Sequence, residues 1–159
     1  MANQFLSADD FRVVVDSTPL ISIDLVVKSP DGRVLLGKRL NKPARGFWFV
    51  PGGRVLKNER LADAFARLTN AELGVEIAIQ DARYIGLYEH FYDDSALSDS
   101  VSTHYVVNAF VITLSEPVMA LPVEQHSDYR WLSEDELLSA DDVHNHSKWY
   151  FLNEKGYSV

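Results

Sequence analysis

The chain lacks three features that would place it in other classes of protein. None of its 159 residues is cysteine, which excludes a disulfide framework and a thiolate metal site. No apolar run comes near the roughly 20 residues of a membrane-spanning helix. The first residues, Met1 to Gln4, have neither the basic nor the apolar region of a signal peptide. We therefore expect a soluble, cytoplasmic protein without a membrane partner.

The composition indicates one folded domain. Hydrophobic residues make up 47% of the chain and aromatic residues 11%, which excludes a disordered protein. The length is close to that of a usual single domain, and the sequence contains no repeat, low-complexity tract or linker. We expect residues 1–159 to form a single domain.

The charges are distributed unevenly along the chain. A net charge of −8 argues against general nucleic-acid binding. Yet ten of the fifteen Lys and Arg residues, with three of the 23 acidic residues, lie between Lys28 and Arg67. A basic segment in an acidic protein is typical of a site for a small, multiply anionic ligand. The alternative is that folding scatters these bases over separate faces.

Hydrophobic periodicity predicts a mixed α/β (α+β) fold. Capping-box sequences begin two of the predicted helices and Gly74 ends the third. The predicted helices cover residues 7–15, 59–73 and 133–140. The predicted strands cover residues 21–27 and 33–39, joined as a hairpin, and residues 83–90, 104–114 and 129–132. This order favours a mixed sheet with helices on its faces.

The predicted helix over residues 59–73 carries one carboxylate on its apolar side. At about 100° per residue, one stripe contains Leu61, Ala64, Phe65, Leu68 and Ala71. Glu72 lies in the same stripe and in the last turn, where a negative charge opposes the helix dipole. A divalent cation would compensate such a carboxylate. Alternatively, the side chain reaches solvent at the helix end.

This region resembles the signature of the Nudix hydrolases. The residues that match it, in order, are Gly53, Glu59, Arg67, Glu72 and Gly74-Val75. In that family the turn and helix present carboxylates to Mg²⁺ bound on a nucleoside diphosphate that is linked to another group. Residues 67–72, RLTNAE, keep one of the three glutamates of the full pattern. Because one glutamate supports attack at phosphorus poorly, either the site only binds or its chemistry has moved off phosphorus.

Segments outside this helix resemble the GDP-mannose mannosyl hydrolases, the Nudix branch that cleaves the sugar C–O bond. They are residues 36–39 (LGKR), 49–55 (FVPGGRV), 90–94 (HFYDD), 103–107 (THYVV), 124–126 (EQH) and 128–132 (DYRWL). The resemblance runs from about Phe5 to Lys155. It implies the Nudix fold, a mixed sheet sandwiched between helices. It also implies a homodimer that hydrolyses GDP-mannose with Mg²⁺, and GDP-glucose as a further candidate substrate.

The resemblance assigns a metal site and three catalytic residues. The Gly52 carbonyl, Glu72 and Gln125 would bind Mg²⁺, with Mn²⁺ as a substitute. His126 would act as general base on the attacking water, for which an imidazole pKa near neutrality is suited. Arg39 would stabilise charge on the departing GDP. Asp24 would hold a sugar hydroxyl or the cationic transition state, although an aspartate on a half-buried strand is commonplace.

The remaining predicted site residues bind substrate. Arg54 and Arg67 would steady the diphosphate, and Tyr105 would donate to a phosphate oxygen. His90 would meet the sugar, and three residues would hold guanine: Lys38, Phe11 and Phe5. Any of the two arginines and Tyr105 could instead make a salt bridge or a core contact, Arg67 most readily. We interpret Glu59 as structural, and His144 and His146 not as a zinc site.

Two other functions are compatible with the sequence. One is a nucleotide-sugar pyrophosphatase that attacks phosphorus with help from a further carboxylate, Glu89 or Glu124. The other is a catalytically silent domain that binds nucleotide sugars on a degenerate Nudix scaffold.

Overall fold

A computed structural model describes residues 6–118, 121–122, 126–152 and 156–157, with the backbone alone at 126 and 127. The helices are α1 Ala8–Ser17, α2 Leu61–Leu73, α3 Glu134–Ser139 and α4 Asn145–Lys148. The strands are β1 Leu20–Lys28, β2 Val34–Arg39, β3 Trp48–Phe49, β4 Gly52–Arg54, β5 Arg83–Tyr92, β6 Thr103–Thr113, β7 His126–Leu132 and β8 Gly156–Tyr157. Short 3₁₀ turns span Ile79–Asp81 and Trp149–Phe151.

The strands form one mixed sheet, as predicted. Its order is β3-β2-β1-β6-β5-β8, while β4 also pairs with β1 and β7 with β2. Strands β1 and β6 run parallel along nine residue pairs, and the other pairs are antiparallel. The parallel pair needs a long crossover, and that crossover carries β2, β3, β4, α2 and β5.

The predicted hairpin is correct at its turn but wrong along most of its length. Strands β1 and β2 are paired at Lys28 and Val34, beside the turn. Further along, β4 occupies the edge of β1 and β7 pairs with β2. The sequence pattern identifies both strands, but competition for their edges depends on segments that are distant in the chain.

Strand β1 separates the two halves of the core. Ile23, Leu25 and Val27 are fully buried on one face, where they pack with Phe65 and other residues of α2. On the other face Val26 joins a second cluster that includes Leu137 of α3. Burying side chains of this size contributes about 1.5–3 kcal/mol each. The predicted arrangement of a sheet between helices is therefore confirmed.

The ends of α2 decide where its carboxylates lie. The helix begins at Leu61, two residues later than predicted, because Glu59 accepts a hydrogen bond from the Leu56 N–H at 2.9 Å instead of entering the first turn. It ends, as predicted, at Gly74, whose φ of 74° is left-handed. Glycine adopts this conformation without steric cost.

No helix in the described part of the chain is long and apolar enough to cross a membrane.

Candidate functional site

A cleft lies on the face of the sheet opposite to α2. Because side chains alternate along a strand, Asp24 points to the face opposite Ile23 and Leu25. Six of the predicted site residues line this cleft: Asp24, Arg39, Gly52, Arg54, His90 and Tyr105. The structure thus brings together residues from five separate strands, β1, β2, β4, β5 and β6.

Asp24 is the most strongly perturbed acid of the cleft. Its carboxyl pKa is raised to about 7, chiefly by burial and to a smaller degree by the charge of nearby Glu72. The Tyr150 hydroxyl, which donates a hydrogen bond to Oδ2, and the Arg39 guanidinium oppose this increase. Asp24 is therefore not an ordinary exposed aspartate on a half-buried strand.

Glu72 is enclosed at the end of α2. Its side chain is 1% exposed, so the alternative that it reaches solvent is wrong. It lies close enough to Asp24 for its charge to raise that group's pKa. A buried carboxylate beside a second acid favours a bound cation, which would offset both charges.

The backbone of Gly52 meets the requirements of an oxygen ligand. In an antiparallel ladder, residue pairs that are hydrogen-bonded to each other alternate with pairs that are not. Leu25 N donates to the Pro51 carbonyl and Val55 N to the Ile21 carbonyl, both at 2.8 Å, so these two pairs are hydrogen-bonded. Asp24 and Gly52, the pair next to Leu25 and Pro51, are therefore not hydrogen-bonded to each other. The Gly52 carbonyl consequently points away from β1.

Further contacts of β4 involve both α2 and β1. The Arg54 carbonyl, which has the same orientation in the ladder, accepts a bond of 2.8 Å from Arg67 Nη2 on α2. A Cβ atom at Gly52 would overlap the Ile23 carbonyl, so close packing requires glycine here in any case. Oxygen donors are the ligands that Mg²⁺ prefers, and the Gly52 carbonyl and Glu72 fit such an ion.

No group of three His, Asp or Glu side chains suited to hold a metal occurs among the described residues. A cation here would therefore need carbonyl or amide oxygens in addition to a carboxylate. Gln125, the third predicted ligand, lies outside the described residues, as does Phe5.

Arg67 and Glu59 form a bidentate ion pair. The distances are 2.7 Å from Nε to Oε1 and 3.0 Å from Nη2 to Oε2. The Arg67 side chain lowers the pKa of Glu59, while burial opposes the shift. Both groups thus brace the turn before α2, as the structural interpretation of Glu59 requires. That Arg67 also touches the diphosphate stays a prediction.

Arg54 and Arg39 both line the cleft, and each lies near an aromatic ring. The Arg54 guanidinium lies 4.7 Å from the ring centre of Phe11 on α1. The Arg39 guanidinium lies 5.7 Å from that of Phe49. The predicted basic site is therefore formed in part, because Lys42 and Arg33 instead pair with acids on the surface.

A second cavity adjoins the cleft and shares Arg39, Pro43 and Tyr105 with it. Phe11 and Leu97 add apolar surface to this cavity. Lys38, the other described residue predicted to hold guanine, is exposed on β2 and lines neither cavity.

Aromatic and histidine rings of residues 144–151 pack against residues that line the cleft. His146 stacks on His90 with 4.2 Å between ring centres, and His144 stacks on Phe49 at 4.6 Å. Burial lowers the pKa of His90 to about 2, that of His146 to about 3 and that of His144 to about 4. These histidines are neutral ring partners, and His144 meets His146 edge-on with 4.5 Å between ring centres.

Sequence reasoning missed Tyr150 and the role of this segment. Its aromatic residues show no period that would mark one face, and their positions depend on packing against β5 and β6. The run of aromatic residues at 149–151 beside two histidines was the available signal.

The pairing of β2 with β7 brings His126 to the site at the level of the backbone. The register places His126 opposite Arg39, next to a local irregularity between Gly37 and Arg39. The predicted base and the predicted leaving-group arginine are thus cross-strand neighbours.

The sequence matches the NUDIX domain family over residues 18–152. It is similar to a low-salt glycan biosynthesis protein, Agl8, of Haloferax volcanii, with 45% identity over 122 residues that cover 77% of this chain and 76% of that protein.

Two solved structures share the fold. The MutT protein from Methanosarcina mazei Go1 has a TM-score of 0.65 at 21% identity, covering 85% of this chain and 92% of that one. The NUDIX domain of Shewanella oneidensis NrtR, in complex with ADP ribose, has a TM-score of 0.64 at 17% identity and covers 92% and 96%. Their fold and the domain match agree: this chain belongs to the Nudix family, whose members hydrolyse nucleotide-linked substrates with divalent metals such as Mg²⁺.

Proposed function

We propose that this protein hydrolyses GDP-mannose to GDP and mannose by attack of water at the anomeric carbon. The observation that carries the proposal is the division of acids between α2 and the cleft. In the turn before α2, Glu59 is bonded to Arg67, and on α2 Glu72 is the one retained of the three glutamates that follow Arg67 in the family pattern. In the cleft, Asp24 lies half-buried beside Arg39 and the Gly52 turn. This supports chemistry at the sugar rather than at phosphorus.

The proposed reaction is a single displacement. His126 accepts a proton from water, and the water oxygen forms a bond to C1 of mannose. The bond from C1 to the β-phosphate oxygen breaks, and GDP leaves with the electron pair. Attack opposite the leaving group inverts the configuration at C1.

The chain's residues divide the work between the two ends of the substrate. Arg39 meets the charge that develops on the departing diphosphate, since a guanidinium is always charged. Asp24 and His90 face the sugar, where positive charge develops. Arg54, Arg67 and Tyr105 hold the diphosphate. Gly52, Glu72 and Gln125 would hold Mg²⁺, which when bound would neutralise the charge of phosphate oxygens.

This scheme needs no carboxylic general acid. A diphosphate is a good leaving group once its charge is neutralised, unlike the sugar alkoxide that leaves in ordinary glycoside hydrolysis. Enzymes of the latter kind pair two carboxyl groups around the bond. The loss of two family glutamates is consistent with an active enzyme of this type.

The similarity to a glycan biosynthesis protein supports a sugar-linked substrate. GDP-glucose belongs to the same proposal, because the two hexoses differ in one hydroxyl orientation. We further propose a cytoplasmic homodimer without a nucleic-acid or membrane partner.

The test is turnover of GDP-mannose with Mg²⁺ in ¹⁸O-labelled water, followed by mass spectrometry. We expect label in free mannose and unlabelled GDP. Label in a phosphate, together with GMP, would overturn the proposal in favour of a pyrophosphatase. Glu89, one of the acids that such an enzyme could use, accepts a hydrogen bond of 3.1 Å from Tyr157 on β8.

Binding of GDP-mannose without any product would support a silent binding domain instead. GDP-glucose is assayed in parallel, so that a different hexose preference is separated from absence of activity.

A further inference from the structure

Tyr150 lies between two polar side chains of the cleft, Asp24 and His90. Its hydroxyl donates to Asp24 Oδ2 and lies 3.3 Å from His90 Nε2. A tyrosine hydroxyl has one proton, and the carboxylate is the stronger acceptor. With its proton donated to Asp24, the Tyr150 oxygen is left to accept, and the His90 tautomer that carries its proton on Nε2 completes the contact. This forms a directional chain of hydrogen bonds from His90 through Tyr150 to Asp24.

Packing fixes the Tyr150 ring in this place. The ring meets Tyr88 edge-on, with 4.7 Å between centres, and belongs to the cluster around Val107 and Ala109. The sheet register places Ala109 directly opposite Asp24. Because alanine is small and fully buried here, space remains above it for the ring that reaches across to Asp24.

The two oxygens of Asp24 consequently face different neighbours. Oδ2 accepts the Tyr150 bond, whereas Oδ1 lies over the Gly52 turn, where a Cβ atom on Gly52 would come within 2.5 Å of it. Rotation of the carboxylate would exchange these positions. The Tyr150 hydroxyl opposes that rotation.

We propose that Tyr150 is a positioning residue, which holds Asp24 Oδ2 so that Oδ1 is directed to the sugar end of a bound nucleotide sugar. The inference rests on the proposed function, because it requires Asp24 to meet the sugar. Tyr150 would thereby join the site from segment 144–151, which contains none of the site residues predicted from the sequence.

The test uses Tyr150→Phe with Tyr88→Phe as the matched control. Both substitutions remove one hydroxyl from the same pair of rings, but Tyr150 alone of the two donates to Asp24 among the described contacts. We expect Tyr150→Phe to lower kcat for GDP-mannose by about tenfold. We expect KM to change less than about twofold, since the contact matters most in the transition state. Tyr88→Phe should retain kcat.

A double-mutant cycle distinguishes positioning from a structural effect. If Tyr150 acts through Asp24, Tyr150→Phe has no further effect in an Asp24→Asn background. Where steady-state turnover of that background is too slow, single-turnover release of GDP at excess enzyme gives the rate. Thermal unfolding of each variant shows that it is folded.

The outcomes separate this inference from the proposed function. Two results would overturn the role of Tyr150 while the wild-type protein still turns over GDP-mannose: a kcat that Tyr150→Phe leaves unchanged, or the same fall in rate in the wild-type and Asp24→Asn backgrounds. The proposed function would remain in either case. A wild-type protein that releases neither GDP nor mannose overturns the proposed function and this inference with it. A fall specific to Tyr150 and absent with Asp24→Asn supports both.

Discussion

Charged side chains at α2 and the turn before it have different partners from those of the cleft. Glu59 and Arg67 bond to each other and to the backbone of the turn before the helix, and so stabilise the turn. Asp24 and Arg39 lie instead in a cavity on the other face of the sheet. Two charged residues of the motif by which the family is recognised, Glu59 and Arg67, are thus bonded within the protein itself, whereas the charged residues that line the cleft lie on strands.

Glu72 is the point at which the two regions meet. It belongs to α2, but its charge contributes to the raised pKa of Asp24 on the other face of β1. A residue of α2 is thus near enough to act electrostatically on the cleft.

Removing the proposed base gives the largest expected effect. His126→Ala should lower kcat by about 10² or more with the fold intact, since general bases contribute that much. The measurement is steady-state release of GDP, with circular dichroism as the check on folding. His104→Ala is the control, because His104 stacks on Phe91 at 4.3 Å and lines neither cavity at the site. Near-normal kcat for His126→Ala would exclude it as the base.

The two glutamates of the turn and helix should separate in a metal titration. Glu72→Gln should raise the Mg²⁺ concentration for half-maximal activity by about tenfold or more, because an anionic oxygen ligand is lost. Glu59→Gln should leave the titration unchanged, since Glu59 is bonded to Arg67 and the Leu56 N–H. Equal titrations for wild type and Glu72→Gln would count against Glu72 as a ligand.

The stacked histidines should make the protein sensitive to acid. Between pH 7 and 5.5 an unfolded histidine with pKa about 6.5 gains a proton, whereas buried His90 (pKa about 2) and His146 (pKa about 3) stay neutral. Because the unfolded state binds more protons, the free energy of unfolding falls, by about 1 kcal/mol for each of these histidines.

Urea unfolding at several pH values measures this loss. His146→Phe retains a ring beside His90 and removes one titrating group, so its loss should be smaller than that of the wild type. His146 Nδ1 has no hydrogen-bond partner among the described residues, and its replacement should therefore cost little at pH 7. Identical pH profiles for the two proteins would contradict the burial argument.

The smallest expected effect is on the ion pair beside α2. Glu59→Gln should lower the free energy of unfolding by about 1 kcal/mol, because it weakens a partly buried bidentate pair. We expect no change in KM for GDP-mannose, measured beside the urea transition. A raised KM with unchanged stability would instead show that Glu59 acts on substrate binding through Arg67 and not on the stability of the turn.

Local patterns predicted those parts of the fold that depend on local chemistry. The apolar stripe and Gly74 identified α2, and the capping box at Ser133 is present with both of its hydrogen bonds. The alternation in β1 identified the strand and the separate face of Asp24. Strand β4 was missed because three residues that include two glycines have no measurable period.

The candidate site was less accessible to sequence reasoning. Gly52, Asp24 and Arg39 converge because β4, β1 and β2 share edges, and this pairing follows from the whole sheet. Tyr150 is more remote, since its contact with Asp24 spans 126 residues and depends on the space above Ala109. The resemblance to a family identified candidate site residues but assigned no role to the segment that covers the cleft.

Strand β1 places selection for folding and selection for activity on adjacent residues. Ile23 and Leu25 are fully buried in the core, whereas Asp24 between them faces the cleft. In a library of single substitutions scored for cellular abundance and for turnover, changes at Ile23 or Leu25 would deplete the protein. Under the proposed function, changes at Asp24 would leave the protein abundant but reduce its turnover. Neighbouring positions of one strand would therefore evolve under different constraints, Ile23 and Leu25 for folding and Asp24 for activity.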